Sequence, residues 1–465
     1  MFAFSFRAAR RSSRRVGWMA LGSALAGLSC QAQTVVTPVV SPVPMPAPMP
    51  ALIPVLTPVL TLEQALRAAQ DRSRQLVAQD AAAAASREMA VAAGQLPDPT
   101  LKAGINNLPV NGAYRFSLTR DFMTMRSVGV MQEITRGEKR RARSARFDRE
   151  AEAAEAGRAV ALVALRSDTA KAWLERHFQE RMLALLQAQR VEAGLQIEAA
   201  DAAYRGGRGA QADVFAARSA VAVIDDRIQQ ARRQIATART RLARWDGVGA
   251  DLPLGAPPDG AAARFDSAGL ESAWEHHPQI ALMVRQEAVA RADADIAQSN
   301  KHPDWSVELM YSQRGPAYSN MVSVNVSIPF QLDPRNRQDR EVAARLAVVE
   351  QMRAQREEAT REHVAETLGW LQEWQSDRDR LAHYDSALIP LAAERTRAAL
   401  AAYRGGAGPL GAVLDARRLE IDTRMDRLRL EMEAAGLWAQ LEYLIPPEHE
   451  SATPDRSSTV TEHKP

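Results

Sequence analysis

The chain has almost no cysteine and little net charge, and both observations exclude certain kinds of site and partner. Its only cysteine is Cys30, so the body can hold neither a disulfide nor a cysteine-based metal site or nucleophile. The 59 basic and 56 acidic residues nearly cancel, whereas a nucleic-acid-binding surface needs basic residues clustered on one face. No convergent set of acid, base and nucleophile is recognisable. We therefore expect no enzyme, no cofactor and no nucleic-acid partner.

A basic segment followed by an apolar run opens the chain. Five arginines precede the apolar stretch Val16–Leu28, which indicates a secretory signal peptide over residues 1–32 and export through the inner membrane. Two processing routes remain open. Gly27-Leu28-Ser29-Cys30 resembles a lipoprotein signal, in which Cys30 becomes acylated, and ordinary cleavage after Ala32 is the alternative.

Low-complexity segments flank the body. Eight prolines between Pro38 and Pro58 exclude a helix and predict an extended spacer over residues 33–60. The polar tail over residues 446–465 is predicted to be disordered.

The body is an internal duplication with a period near 200 residues. The phrase Ala203-Tyr-Arg-Gly-Gly-Arg-Gly209 returns as Ala402-Tyr-Arg-Gly-Gly-Ala-Gly408, each copy between two long helical stretches. The repeats span residues 61–246 and 266–445, with a linker over residues 247–265. Four glycines of the phrases are predicted hinges: Gly206, Gly207, Gly405 and Gly406.

Each repeat contains one β-hairpin, predicted at about 99–134 and about 304–330. Trp305, Val307, Leu309 and Tyr311 alternate onto one face, as do Val322, Val324, Val326 and Ile328. These runs approach the ~9–11 residues that a tilted membrane-spanning strand needs. A soluble sheet with its apolar face on a core is the alternative, and the signal peptide favours the membrane.

The remaining segments are predicted helices. Thr61 begins one that runs to about Gly94, and charge-rich helices follow over about 139–204 and 335–403. The last helix, about 410–444, carries a coiled-coil seam: Leu410, Leu414, Arg417, Ile421, Met425, Leu428, Met432, Ala435 and Ala439. Helices of some 60 residues extend ~90–100 Å, which no compact domain accommodates.

Four strands cannot close a membrane barrel, because known barrels begin at about eight strands. Several chains must therefore share one barrel, with the long helices projecting from one end as a tube. The residues alone predict an oligomeric conduit.

At this point the chain, over roughly residues 61–444, resembles the TolC-type outer-membrane efflux family. The resemblance rests on the duplicated order, the paired Tyr-Arg-Gly-Gly phrases and Val413-Leu414-Asp415-Ala416-Arg417. It implies a homotrimer with a twelve-stranded barrel in outer-membrane lipid, a periplasmic helical tunnel, and two partners, a periplasmic adaptor and an inner-membrane resistance-nodulation-division pump. The stretch Met123–Arg140 resembles members that serve heavy-metal pumps.

The resemblance also implies a gate at the tunnel tip. Tyr403 matches the gate tyrosine, and Asp415 matches an acidic residue of the constriction. Ala412 and Gly408 depart from the family pattern, since they replace an acidic and a basic gate residue. The first repeat offers Tyr204, Arg208 and Asp213 at or beside the equivalent places. We therefore expect a gate whose charges are divided unequally between the repeats.

Two rival functions stay open. One is an efflux duct of the same fold for drugs or other organic compounds. The other is a soluble periplasmic adaptor or coiled-coil scaffold, although adaptors have one central helical hairpin between β domains, and here a β-hairpin occurs in each repeat.

Overall fold

The computed structural model describes residues 58–260 and 277–446. The signal peptide with Cys30, most of the spacer, residues 261–276 and the tail from residue 447 lie outside the described residues. Within the described parts, long helices alternate with two strand pairs. The predicted fold class, a mainly helical chain with duplicated helix and β-hairpin units, is confirmed.

The first helical stretch is two helices rather than the single one predicted. Thr61 begins α1 (Leu62–Arg72) with the capping box that its sequence indicates, because its hydroxyl accepts from the Gln64 N–H at 3.2 Å. Ser73 then adopts an extended conformation, and its hydroxyl accepts from the Leu76 N–H at 3.3 Å to begin α2 (Arg74–Ala93). A serine that can cap a new helix competes with continuation of the old one.

The longest helix, α3 (Gly137–Arg205), has 69 residues and therefore a length of ~100 Å. It packs against α2 and then against α4 (Gln211–Asp246). Helix α3 begins and ends within two residues of the span predicted for it.

The second repeat contains α5 (Pro278–Ser299), α6 (Gln338–His383), α7 (Ile389–Arg404) and α8 (Leu410–Glu442). A π-helical turn over Tyr384–Leu388 interrupts the predicted helix 335–403. Pro390 explains the turn, because proline lacks an N–H and its ring clashes with the carbonyl four residues earlier. The widened turn relieves the clash while the helix continues.

Helix α8 buries more than the predicted seam. Five seam positions are buried: Leu410, Ile421, Met425, Leu428 and Ala439. A second buried row contains Val413, Ala416, Ala434 and Trp438. This helix packs against α3, α6 and α7, and contact on several sides explains why a single coiled-coil seam was too narrow a prediction.

The main core surrounds Trp173 of α3, which is fully buried among side chains of α1, α4, α6 and α8. Its indole N–H donates to the Leu60 carbonyl at 3.1 Å. Residues 247–260, predicted as a linker, are fixed here by the buried Arg176, whose guanidinium donates to the carbonyls of Ala250 and Leu252 at 2.6 and 2.9 Å. No sequence pattern indicated that this arginine would be buried.

The strands β1 (Thr100–Asn106), β2 (Met125–Ile134), β3 (Trp305–Gln313) and β4 (Met321–Ser327) form one antiparallel sheet in chain order. The two hairpins join through β2 and β3, so each repeat supplies half of the sheet. Of the helices described, none combines the length and hydrophobicity needed to cross a membrane.

Candidate functional site

The two Gly-rich turns end α3 and α7 with one hydrogen-bond pattern. In the first, the Arg208 N–H donates to the Ala203 carbonyl at 2.9 Å and the Gly207 N–H to the Tyr204 carbonyl at 3.0 Å. This is a Schellman motif, and the second turn repeats it. Gly207 and Gly406 have φ of +70° and +71°, which glycine adopts at no steric cost. Their partners Gly206 and Gly405 have ordinary negative φ.

Replacing Gly207 or Gly406 with alanine is expected to destabilise its turn by ~1–2 kcal/mol, because a side chain would be held in the left-handed conformation. Gly411→Ala is the matched control. An added Cβ at Gly411 in α8 meets nothing within 4 Å, so that change should be neutral or stabilise by up to ~1 kcal/mol. Amide hydrogen exchange around the turns measures both effects. Equal exchange in Gly406→Ala and Gly411→Ala contradicts the assignment.

A small apolar cluster brings both turns to one end of the helical region. Its buried members come from α3, α4 and α8: Ala200, Val214, Ala217, Leu410 and Val413. The half-buried Tyr403 packs against this cluster. Tyr204, at the same position of the first turn, is 45% exposed. The two tyrosines therefore have different environments despite identical local sequences.

The predicted gate charges are near this end but do not pair with one another. Asp415 is exposed and lines a groove of about 350 Å³ with Arg417 and Arg418. Among the residues that the structure describes, neither the Asp415 carboxylate nor the Arg208 guanidinium has an ion-pair partner. The Asp213 carboxylate accepts from the Ala210 N–H at 3.1 Å, as a residue in the first turn of a helix commonly does.

Ion pairs between helices were not foreseen from the sequence. Arg417 of α8 pairs with Glu192 of α3, and Arg227 of α4 pairs with Asp422 of α8 at 2.6 Å. The two members of each pair are some 200 residues apart in the chain, so the sequence alone does not indicate which residues pair. Exposed ion pairs contribute little stability, typically ~0–1 kcal/mol, so we assign them to helix alignment.

A bidentate ion pair, the Arg427–Asp385 clamp, attaches the π-helical turn to α8. Arg427 of α8 donates to both carboxylate oxygens of Asp385, at 2.7 and 2.9 Å. The hydrogen bond from Arg427 holds the pKa of the Asp385 carboxyl below its usual value, with burial opposing it. The clamp fixes the widened turn against the neighbouring helix.

One face of the sheet is apolar and uncovered in the chain. Strand register places the polar Arg126, Gln132 and Gln313 toward its margins, and the following apolar side chains over the rest of it: Leu101, Ala103, Ile105, Val128, Val130, Ile134, Trp305, Val307, Leu309, Tyr311, Val322, Val324 and Val326. Most are exposed, with Leu101 at 72% and Val322 at 68%. A soluble sheet would bury such a face on a core, and no described element covers this one.

The opposite face is mostly polar, with four methionines among its polar residues. Lys102 and Glu308 pair across it at 2.7 Å, and the Asn106 amide donates to the Ser127 hydroxyl at 2.8 Å. A Cβ at Gly129 between them would lie 2.6 Å from the Leu309 carbonyl oxygen, so this position requires glycine. Alternation of an apolar and a polar face is the pattern of a membrane barrel strand.

A buried ion pair joins the sheet to the helices. The Lys139 ammonium of α3 lies 2.6 Å from the Asp304 carboxylate, just before β3. Burial alone would raise the pKa of Asp304, but hydrogen bonds from Lys139 and the Arg136 N–H, with the charges of Lys139 and Arg143, hold it below its usual value. The pair couples the end of β2 in one repeat to the start of β3 in the other.

The histidines that the structure describes form no metal centre. Residues 58–260 and 277–446 contain no group of three or more His, Cys, Asp or Glu side chains arranged to hold a metal ion. His277 caps α5 and stacks on His363 at 5.0 Å. Burial, with a smaller contribution from His363, lowers the pKa of His277 to about 4.

Residues 269–445 match the family model of outer membrane efflux proteins. A sequence search of curated proteins found no relative.

Solved structures match nearly the whole described chain. The outer-membrane channel OprN aligns with a TM-score of 0.68 at 18% identity, covering 82% of this chain and 89% of its own. The outer membrane protein VceC from Vibrio cholerae aligns at 0.66 and 18% identity, covering 82% and 95%. CusC, whose study concerned folding and transmembrane channel formation, aligns at 0.70 and 16% identity, covering 82% and 91%. The chain therefore has the fold of these outer-membrane channels.

Proposed function

We propose that this chain is one subunit of an outer-membrane efflux channel, the passive exit duct of a tripartite export system in a Gram-negative cell. The observation that carries the proposal is the four-stranded sheet with one exposed apolar face and one polar face. The family match over residues 269–445 and the shared fold support it. A soluble adaptor or scaffold would have no use for an uncovered apolar sheet face.

The working unit is a homotrimer. Each chain contributes four strands, so three copies supply twelve, above the minimum of about eight that a closed barrel needs. The long helices then form the tunnel wall, which meets a periplasmic adaptor and a resistance-nodulation-division pump. Fractionation tests this placement: heat-dissociable trimers in the outer membrane are expected, and a protein recovered wholly from the soluble periplasm contradicts it.

The tunnel closes at the Gly-rich turns. Tyr403 and Asp415, with Tyr204, Arg208 and Asp213, surround the constriction, and Gly206, Gly207, Gly405 and Gly406 allow it to move. An exposed carboxylate without a partner among the described residues, as at Asp415, is free to act on ions in a pore. Three copies of it in a narrow passage would attract cations.

Asp415→Ala is therefore expected to lower the cation-to-anion permeability ratio at least about twofold, because one charge per subunit leaves the constriction. Single-channel recording in a planar bilayer measures this ratio. Asp225→Ala is the control, since it removes an equal charge from an exposed ion pair with Arg190. Identical selectivity of the Asp415 variant and the parent channel removes Asp415 from the gate.

The cargo is proposed to be heavy-metal cations, on the strength of the resemblance of Met123–Arg140 to channels of metal pumps. Deleting the gene is expected to sensitise cells to Cu, Ag, Zn, Co or Cd, and the wild-type gene should restore tolerance. Minimum inhibitory concentrations measure the effect. Unchanged metal tolerance with new sensitivity to organic drugs identifies a drug-efflux duct of the same fold instead.

A further inference from the structure

The apolar row of β4 continues beyond the end of the strand. Ile328, Phe330 and Leu332 keep the even-numbered alternation of Val322, Val324 and Val326, and Phe330 and Leu332 are 90% and 91% exposed. Between them, the Gln331 amide donates to the Asn300 carbonyl at 3.1 Å and so points toward the protein. Phe330 and Leu332 are therefore uncovered apolar side chains just beyond the periplasmic end of β4.

Three arginines follow directly. Arg335, Arg337 and Arg340 are exposed, and none of their guanidinium groups has a hydrogen bond or ion pair with any residue that the structure describes. The nearby acids are mostly occupied: Asp333 accepts from Asn336, and Asp339 pairs with Lys301 at 2.8 Å. Glu341 is the remaining carboxylate. Positive charges at the start of a helix interact unfavourably with the helix dipole, so these arginines do not stabilise α6.

Three cations that follow the hairpin of the first repeat have partners within the chain. After β2, Arg136 donates to the Pro303 carbonyl, Lys139 pairs with Asp304, and Arg140 donates to the Gly94 carbonyl. Those three bind the protein's own groups. The second repeat leaves its three cations beside the exposed Phe330 and Leu332.

We propose that residues 328–340 form a binding site for the phosphate headgroup of an anionic glycerophospholipid at the periplasmic surface of the outer membrane. Phe330 and Leu332 enter the interfacial layer, as apolar anchors do at membrane surfaces. Arg335, Arg337 and Arg340 bind the phosphate oxygens, for which guanidinium has matching donors. This inference rests on the proposed outer-membrane function.

Native mass spectrometry of the detergent-solubilised oligomer tests the site, with phosphatidylglycerol or phosphatidylethanolamine added. The parent protein is expected to retain phosphatidylglycerol preferentially. The triple variant Arg335→Gln, Arg337→Gln, Arg340→Gln should lose that preference by about tenfold or more. Arg218→Gln, Arg232→Gln, Arg233→Gln is the control, because it removes the same charge from exposed positions of α4 and should leave lipid retention unchanged.

Two results overturn the site. One is equal phosphatidylglycerol retention by the parent and the Arg335 triple variant. The other is dissociation of the oligomer by Phe330→Ser with Leu332→Ser, which identifies a contact with a second copy of the chain. Fractionation separates this failure from that of the proposed function: a protein located in the outer membrane without arginine-dependent lipid retention refutes the lipid site alone.

Discussion

Val324→Arg is expected to remove nearly all stable oligomer from the outer membrane. Val324 lies on the apolar face of β4 opposite Leu309 and is 66% exposed in the chain. If that face contacts lipid, an arginine near the bilayer midplane costs ~2–4 kcal/mol in each subunit. The cost recurs in every chain of the shared barrel. Heat-dissociable oligomer in outer-membrane fractions and urea unfolding in lipid vesicles measure the loss.

The neighbouring residue is the control. Asn325 lies on the polar face of the same strand, opposite Glu308, so Asn325→Arg introduces the same side chain toward an aqueous interior. We expect that variant to assemble at close to the parental level. Equal loss in both variants, or none in either, contradicts the assignment of the apolar face to lipid.

Lys139→Met is expected to destabilise the junction between sheet and helices by ~3–5 kcal/mol, because it leaves a buried carboxylate without its cation. The Lys139 side chain is 7% exposed and that of Asp304 is 15% exposed. Replacing both, as Lys139→Met with Asp304→Leu, removes the unpaired charge and should restore most of the stability. Urea unfolding of the oligomer measures both variants, and equal destabilisation of the single and the double variant contradicts the mechanism.

The same pair predicts a pH dependence. The folded-state pKa of Asp304 lies below its ordinary value of 3.8. The ionised carboxylate therefore stabilises the folded protein fully at a pH above 3.8, and this stabilisation is lost as the pH falls through the lower folded-state pKa. Asp304→Asn should flatten the stability profile in this acid range. A parental profile that Asp304→Asn leaves unchanged contradicts the role of the pair.

Much of the fold could be predicted because local sequence patterns and the order of the two repeats indicate the same helices and strands. The duplicated phrase located the two turns, the alternation of Trp305 to Tyr311 located β3, and the capping box at Thr61 located α1. The errors arose where one residue changed a helix locally. Ser73 divides the first helix, and Pro390 produces the π-helical turn. Predicting either interruption would require knowing which backbone carbonyl or N–H group loses its helical partner, and the sequence pattern does not show this.

The candidate site was less predictable, because its charges find partners at long sequence separation. Lys139 with Asp304 and Arg417 with Glu192 join distant segments, and neither repeat alone specifies such a choice. The different environments of Tyr204 and Tyr403 likewise follow from packing, since their flanking residues are nearly the same. The gate at Tyr403 and Asp415 stays a prediction that the conductance measurement tests.

Disulfide crosslinking between β1 and β4 tests the shared barrel most directly. In one chain these strands are the two edges of the sheet, ~14 Å apart and beyond the reach of a disulfide. Cysteine pairs scanned over Leu101, Ala103 and Ile105 against Val322, Val324 and Val326 can therefore bond only between chains. The account predicts that one register yields a closed, covalent three-chain species without free thiols. Covalent dimers alone, or no crosslinked species in any register, would contradict it.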